Sequence, residues 1–360
     1  MVHYNAEIMI FKCRRCGLKY GQKKAFPHYY VRLRRKRRNF EPRHKPTKKK
    51  NLLKNVLIAT VAITMLFAAA YILYWHPISF PNSISLPNLF PAVPSHDELV
   101  NYTLSLINAD RQSHNLQNVT LSSVNSGQQH AEDMLRNKYF SHWDIQGYKP
   151  YMRYTLAGGK GSVAENCAAQ LGSYSDLKEA LKEMEWNMMY DDAASNWGHR
   201  DNILNPLHNK VSIGIAYDSN NVYLVQDFEN DFVTWTTLRC SSNQVIMQGT
   251  MMKAGLSISG VAVFYDKVGN LTAQQLSNPP YQGGYDVGTS VGMALPSGWQ
   301  AGDGITITAS TWSQTGQNFA INFDLSTAFA RYGKGVYTLY LMTGSSTDSS
   351  LTTYSIWYGS

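Results

Sequence analysis

At 360 residues the chain is long enough for two domains with real cores, and its 44% apolar content excludes a disordered or fibrous protein. The net charge of +8 hides two opposite halves: residues 1–54 hold 18 Lys/Arg against two acids, and the remaining 306 residues hold 15 against 23. A basic arm is joined to an acidic body, and each needs its own explanation.

The arm comes first. Its basic blocks, VRLRRKRRNF at 31–40 and KPTKKK at 45–50, lack the apolar periodicity of a folded segment, so residues 1–54 read as a largely disordered tail. Such blocks suit anionic lipid headgroups, at about 1 kcal/mol per basic residue, and no nucleic-acid partner is expected. Cys13 and Cys16 have the spacing of one half of a zinc site. A closed site needs four ligands and no second CxxC follows, so zinc and a pair of free thiols both stay open.

Val56 to Trp75 is a run of twenty residues without a charge, the length a helix needs to cross a bilayer, with Tyr71, Tyr74 and Trp75 at one end. Lys48, Lys49, Lys50 and Lys54 precede it, and the next basic residue is Arg111. Basic flanks stay in the cytoplasm, which predicts a single-pass cell-membrane protein with its N-terminus inside and its body outside. The basic segment is far too long for the n-region of a cleaved signal. Sequons at Asn101, Asn118 and Asn270, all beyond the run, agree with an exported, glycosylated body. Residues 77–94 carry five prolines and read as an extended stalk, which at about 3.1 Å per residue reaches roughly 50 Å.

The body starts at Ser95-His96-Asp97-Glu98, a capping box opening a helix with Val100, Leu104 and Ile107 on one face. Further helices are expected over 123–137 (Val124, Ala131 and Leu135 inward) and 176–190 (Leu177, Leu181, Met184 and Met188 inward). Strands are expected at Val163–Gln170, Val211–Tyr217 and Val222–Phe228, the last two joined by a turn at 218–221. Region 95–232 is therefore α+β. From 241 to 360 period-two alternation takes over, as in Val261/Val263/Tyr265, Phe319/Ile321/Phe323 and Tyr337/Leu339/Leu341, and predicts an antiparallel, immunoglobulin-like β-sandwich. Of the cysteines beyond the apolar run, Cys167 and Cys240 permit one disulfide without requiring it.

Chemistry concentrates in 130–202, where His142, Glu165 and His199 stand near the ends of expected elements. Two imidazoles and a carboxylate can hold a divalent metal or orient a water for base catalysis; they serve equally as buried hydrogen-bond pins. His130, on the helix just before the segment that carries His142, reads as having no ligand role.

LINADRQSHNL (106–116), YFSHWDIQGYKPYMR (139–153), VAEN (163–166) and GHRDNIL (198–204) stand in the order and spacing of the CAP domain, and 95–230 resembles that family of cysteine-rich secretory proteins, in its simpler prokaryotic form. The resemblance implies an α-β-α sandwich with a cleft lined by two His and two Glu, which binds zinc or another divalent ion in some members. Carried over, His142, Glu165 and His199 fill three of the four places. The fourth, three residues after Trp186, is Met189, and Glu185 or Asp192 is the available stand-in. Arg153, Asn166 and Asn202 are expected to stabilise loops. The family's members have been assigned lipid or sterol binding, proteolysis and surface recognition, so the fold does not fix a reaction. The expected function is a surface-displayed, non-catalytic module binding a ligand, lipid or envelope partner at the cleft. The alternative is a metal-dependent hydrolase using His142, Glu165 and His199.

Overall fold

The computed structural model describes residues 8–10 (backbone only), 64–65, 94–344 and 349–359. Residues 8–10 and those from 94 onward belong to one compact unit, and Thr64 and Met65, both helical and exposed, to another. The remainder of the apolar run 56–75, the stalk up to 93 and the pair Cys13/Cys16 lie outside the described residues. Among the described residues no helix is long and apolar enough to cross a membrane.

Helix α1 (His96–Ser113) opens on the expected capping box: Ser95 Oγ accepts the Glu98 N–H at 3.2 Å and Glu98 Oε2 accepts the Ser95 N–H at 2.9 Å. Its inner line is Leu99, Thr103, Ile107 and Arg111, with the expected Val100 and Leu104 half-buried beside it. Arg111 is fully buried and donates to the carbonyls of Gln117, Ile203, Asn205 and His208, pinning the helix to a distant loop. There follow β2 (Thr120–Leu121), α2 (Ser126–Asn137), α3 (Pro150–Leu156), β3 (Ser162–Leu171), α4 (Leu177–Tyr190), a 3-10 turn at Ala193–Ser195, α5 (Gly198–Ile203), β4 (Lys210–Tyr217) and β5 (Asn221–Asn230). The three expected strands are all present, and Asp218 Oδ1 accepts from the N–H groups of Asn220 and Asn221 to close the hairpin turn.

The first sheet runs β1-β3-β5-β4-β2, β1 being Ile8–Ile10. Leu99, Ile107, Leu181, Met184 and Met188 of α1 and α4 cover one face with Ala168 and Leu224. Ala131 and Met134 of α2 cover the other with Cys167, Ala169 and Val225, giving three layers. Helix α2 comes so close to β4 that a Cβ on Gly214 would lie 2.1 Å from the Gly127 carbonyl oxygen. One element departs from the expected unstructured tail: β1 pairs in parallel with Cys167–Ala169 of β3. A tail paired with this sheet and a tail held across a membrane from it are alternatives for one chain.

The second lobe begins earlier than 241. β6 (Val233–Ser241) already belongs to it, its alternation broken by a bulge between Trp235 and Thr237 and diluted by threonines that point outward. Strands β7 (Gln244–Met251), β8 (Gly260–Asp266), β9 (Thr289–Leu295), β10 (Ile305–Thr308), β11 (Thr311–Thr315), β12 (Asn318–Asp324), β13 (Gly335–Met342) and β14 (Ser350–Tyr358) follow, with short helices α6 (Ala273–Leu276) and α7 (Ser326–Tyr332). They form sheets β10-β9-β8-β13-β14 and β11-β12-β7-β6 around a shared core that includes Val245, Met247, Val263, Phe319, Ile321, Phe323, Tyr337 and Leu339. The β-rich lobe is as expected, though β9 and β10 pair in parallel rather than antiparallel. Nearly every residue of β13 and β14 is buried, as in a sheet covered on both faces. The second cover is the first lobe: Thr353 N–H donates to the Gly161 carbonyl at 3.0 Å, and Tyr340 and Trp357 meet the rings of Tyr151 and Tyr148.

Candidate functional site

Glu165 sits mid-strand in β3 and is wholly buried. Its Oε1 accepts from His142 Nδ1 at 2.8 Å and its Oε2 from Arg153 Nη2 at 2.6 Å. Arg153, on α3, also donates to the carbonyls of His142 and Tyr148 at 2.8 and 2.7 Å, so one guanidinium fixes both the carboxylate and the loop that carries the histidine. The motif explains this: Pro150 starts α3 in the first helical turn, which sets Arg153 under the 141–149 loop. Across the β3–β5 pair Asp227 faces Glu165 and accepts from Ser126 Oγ. Burial raises both carboxyls, Asp227 well above the usual range, and Arg153 opposes the rise at both. The arrangement is two buried acids facing one guanidinium, in which burial and their mutual repulsion favour a proton on the pair.

The other histidine has its own carboxylate. Asp192 Oδ1 meets His199 Nδ1 at 2.7 Å, and its Oδ2 accepts the N–H groups of His199 and Arg200, capping the start of α5. Asn166 Nδ2 holds the His199 carbonyl at 3.1 Å, and Asn202 Nδ2 donates to Asn166 Oδ1. Glu185 is buried, accepts from Gln226 Nε2, and is lifted by burial to about 8. Met189 packs in the apolar cluster of α4. Of the two candidate stand-ins, then, Asp192 meets a site histidine, while Glu185's described hydrogen bond goes to a glutamine.

Among the described residues the His, Cys, Asp and Glu donors lying within 4.8 Å of one another are those of His130, Glu165 and Cys167, not those of His142, Glu165 and His199. Of these three only Glu165 belongs to the expected set; His130 reads from the sequence as having no ligand role and Cys167 as half of a permitted disulfide. The group does not suit a divalent cation. His130 Nε2 lies 2.9 Å from the Ser141 carbonyl, which can only accept, so that nitrogen carries a hydrogen; burial holds the imidazole well below its usual pKa and therefore neutral. Burial also pushes the Cys167 thiol well up, so a metal there would have to displace its proton. Both Glu165 oxygens are already bonded, one to a guanidinium that would repel the ion.

The sandwich closes this region. Tyr285, from the segment between α6 and β9, lies with its ring 5.0 Å from that of His142, and its hydroxyl accepts the Glu165 N–H at 3.2 Å. Lys149 Nζ bonds Asp266 Oδ1 at 2.7 Å and also Asp286, and Tyr151 donates to Asp266 Oδ2 at 2.7 Å. The cavity lined by Tyr151, Val163, Ala164 and Tyr285 at this junction measures about 20 Å³, room for one water. Tyr285 sits in a Gly- and Tyr-rich loop that gave no sequence signal. Asp227 stands with Gln226, Glu229 and Asn230 in the polar second half of β5. Asn101, Asn118 and Asn270 are exposed, and Cys167 and Cys240 are both free.

Residues 104–228 match the family described as the cysteine-rich secretory protein family, CAP. The matched segment contains His142, Glu165 and His199 and is the first lobe without its ends. No curated protein matches the chain. Among solved structures, an extracellular protein containing a SCP domain from Bacillus anthracis is similar at 22% identity and TM-score 0.30, covering 39% of this chain and 45% of that one. The chain thus spans under half the length of that relative. An outer surface protein from Borrelia burgdorferi is similar at 15% identity and TM-score 0.30, covering 38% of this chain and 96% of that one. A third, NaASP2 with Zn2+, has 14% identity and TM-score 0.28 over 38% of this chain and 84% of its own.

Proposed function

We propose that this protein is a non-catalytic binding protein held at the cell membrane by residues 56–75, with its CAP segment serving as a rigid scaffold on the outer side. One observation carries the reading: the His142–Glu165 pair lies beneath Tyr285 and is tied to Arg153. A hydrolytic centre needs room for substrate and a carboxylate with an oxygen to spare; here both Glu165 oxygens are bonded, and the cavity under Tyr285 has room for about one water.

The anchor rests on magnitude. Ten of the residues 56–75 are Val, Leu, Ile, Met or Phe, and moving each out of water is worth about 1.5–3 kcal/mol. Pairing the three residues of β1 makes a few hydrogen bonds, each worth about 0.5–1.5 kcal/mol. Insertion outweighs the strand, so the anchored form leaves the outer edge of β3 without β1.

The metal-dependent hydrolase is the second reading, and what favours it is that both His142 and His199 have Nδ1 fixed by a carboxylate, as a general base requires. Peptide, ester and glycan hydrolysis by the purified full chain, with Glu165→Gln and His199→Ala beside it, separates the two. No hydrolysis, or hydrolysis unaltered by both substitutions, supports the binding protein. Hydrolysis lost on substitution in a variant that still melts cooperatively refutes it.

A further inference from the structure

Away from the closed site, the CAP segment shows a second cluster of large side chains. Trp186 and Tyr190 of α4 stand 54% and 42% exposed with ring centroids 5.9 Å apart, and Trp197, just before α5, is 41% exposed. Arg200 bridges the two parts. Its guanidinium lies 5.8 Å from the Trp197 ring, its Nη1 donates to the Met189 carbonyl at 3.1 Å and its Nη2 is 3.3 Å from His114 Nε2. Tyr190 donates its hydroxyl to Asp110 Oδ1.

The patch is costly to maintain. Leaving about half of each of three large side chains in water forgoes roughly 1 kcal/mol or more apiece. Trp197 and its neighbour Asn196 also take φ of 66° and 52°, the left-handed region where glycine would stand without strain. The two left-handed residues turn the chain from the 3-10 turn into α5 and leave the indole outward.

The chemistry around the rings narrows the occupant. Charges of both signs stand beside the rings, Asp110 on Tyr190 and Arg200 on Trp197, with Lys182 and Glu183 within one turn of Trp186, so no strong field of one sign favours phosphate-rich or anionic-lipid partners. Polar groups seated on the rings (Asp110 bonded to Tyr190, Arg200 over Trp197 and His114 beside Arg200) interrupt the aromatic surface, whereas an acyl chain or bilayer requires a continuous apolar face. Flat rings alternating with paired donors and acceptors match a pyranose, which offers an apolar C–H face and a rim of hydroxyls. We propose that Trp186, Tyr190 and Trp197 form a binding platform for a neutral carbohydrate chain, with sugar rings stacked on the two indoles and hydroxyls meeting Asp110 and Arg200. The proposal deepens the reading of the protein as a surface binding module and rests on it.

The test uses the full chain in a detergent without a sugar headgroup. Depletion onto insoluble cellulose, chitin, mannan and xylan is measured beside heparin resin and phosphatidylglycerol vesicles. Retention on at least one neutral polymer is expected, with a loss of tenfold or more in affinity for Trp186→Ala and for Trp197→Ala, partial recovery for Trp197→Phe, and no change for Trp299→Ala on the second lobe. Retention on none of the four neutral polymers overturns the proposal. So does retention that both tryptophan variants keep, or binding confined to heparin or vesicles. Hydrolysis dependent on Glu165 would instead overturn the non-catalytic reading and leave the platform result standing, so the two failures are distinct.

Discussion

Arg153→Met is the sharpest perturbation of the buried network. The guanidinium makes three bonds, to Glu165 Oε2 at 2.6 Å and to the carbonyls of His142 and Tyr148 at 2.8 and 2.7 Å, all away from solvent. Removing it strands the Glu165 carboxylate, and breaking a buried pair from one side costs about 3–5 kcal/mol. For a unit of this size each kcal/mol moves the midpoint by about 2–4 °C, so the melting temperature should fall by roughly 10 °C. Thermal melts of the full chain followed by near-ultraviolet circular dichroism measure this. The pair Arg153→Met with Glu165→Gln removes the stranded charge as well, and should be more stable than Arg153→Met alone by about 2 kcal/mol or more. A fall under about 2 °C for the single substitution, or simple additivity in the pair, would refute the claim that the ion pair organises this region.

Glu185 gives a pH test. Its buried carboxyl titrates at about 8 in the folded chain and near 4.3 when unfolded, so the folded state holds the extra proton between those values. Stability contributed by protonated Glu185 is complete below the unfolded value and is lost as pH rises through about 8, at up to about 1.4 kcal/mol per pH unit. Glu185→Gln should flatten that slope in urea unfolding measured from pH 5 to 8, and an unchanged slope would count against a buried acid. Gly214→Ala drives a Cβ into the Gly127 backbone and should cost about 1–3 kcal/mol, whereas a neutral result would mean that α2 does not approach β4 so closely. For the anchor, a membrane-impermeant maleimide should leave Cys13 and Cys16 unlabelled in intact cells and label them after lysis. Labelling before lysis would place the tail outside, where β1 can pair with β3.

Much of this architecture was legible because burial writes periodicity into sequence. The three strands of the first sheet and the inward line of α4 followed from apolar spacing, and the box at Ser95 and Glu98 from capping chemistry. The helix 123–137 starts later than read, at Ser126, because Val124 packs beneath α3 rather than under α2. Strand β6 was missed because its threonines and bulge hide the alternation. At the site, the motif residues predicted the partners His142 and Glu165 and the loop-pinning work of Arg153, Asn166 and Asn202. What no local pattern reveals is long-range covering. Tyr285 is 120 residues from Glu165 in the chain, and it reaches the site only because β13 and β14 present a second buried face to the first lobe. The same docking explains why an expected open cleft is a closed junction.

The central claim is that His142 is a structural residue beneath Tyr285 rather than a group open to substrate. Histidine C2 hydrogen–deuterium exchange, read by mass spectrometry on peptides of the full chain, tests it directly. Exchange at His142 should be far slower than at exposed His96 and should accelerate in Tyr285→Ala, with His96 unmoved. Exchange at His142 as fast as at His96 in the unaltered chain would contradict the account.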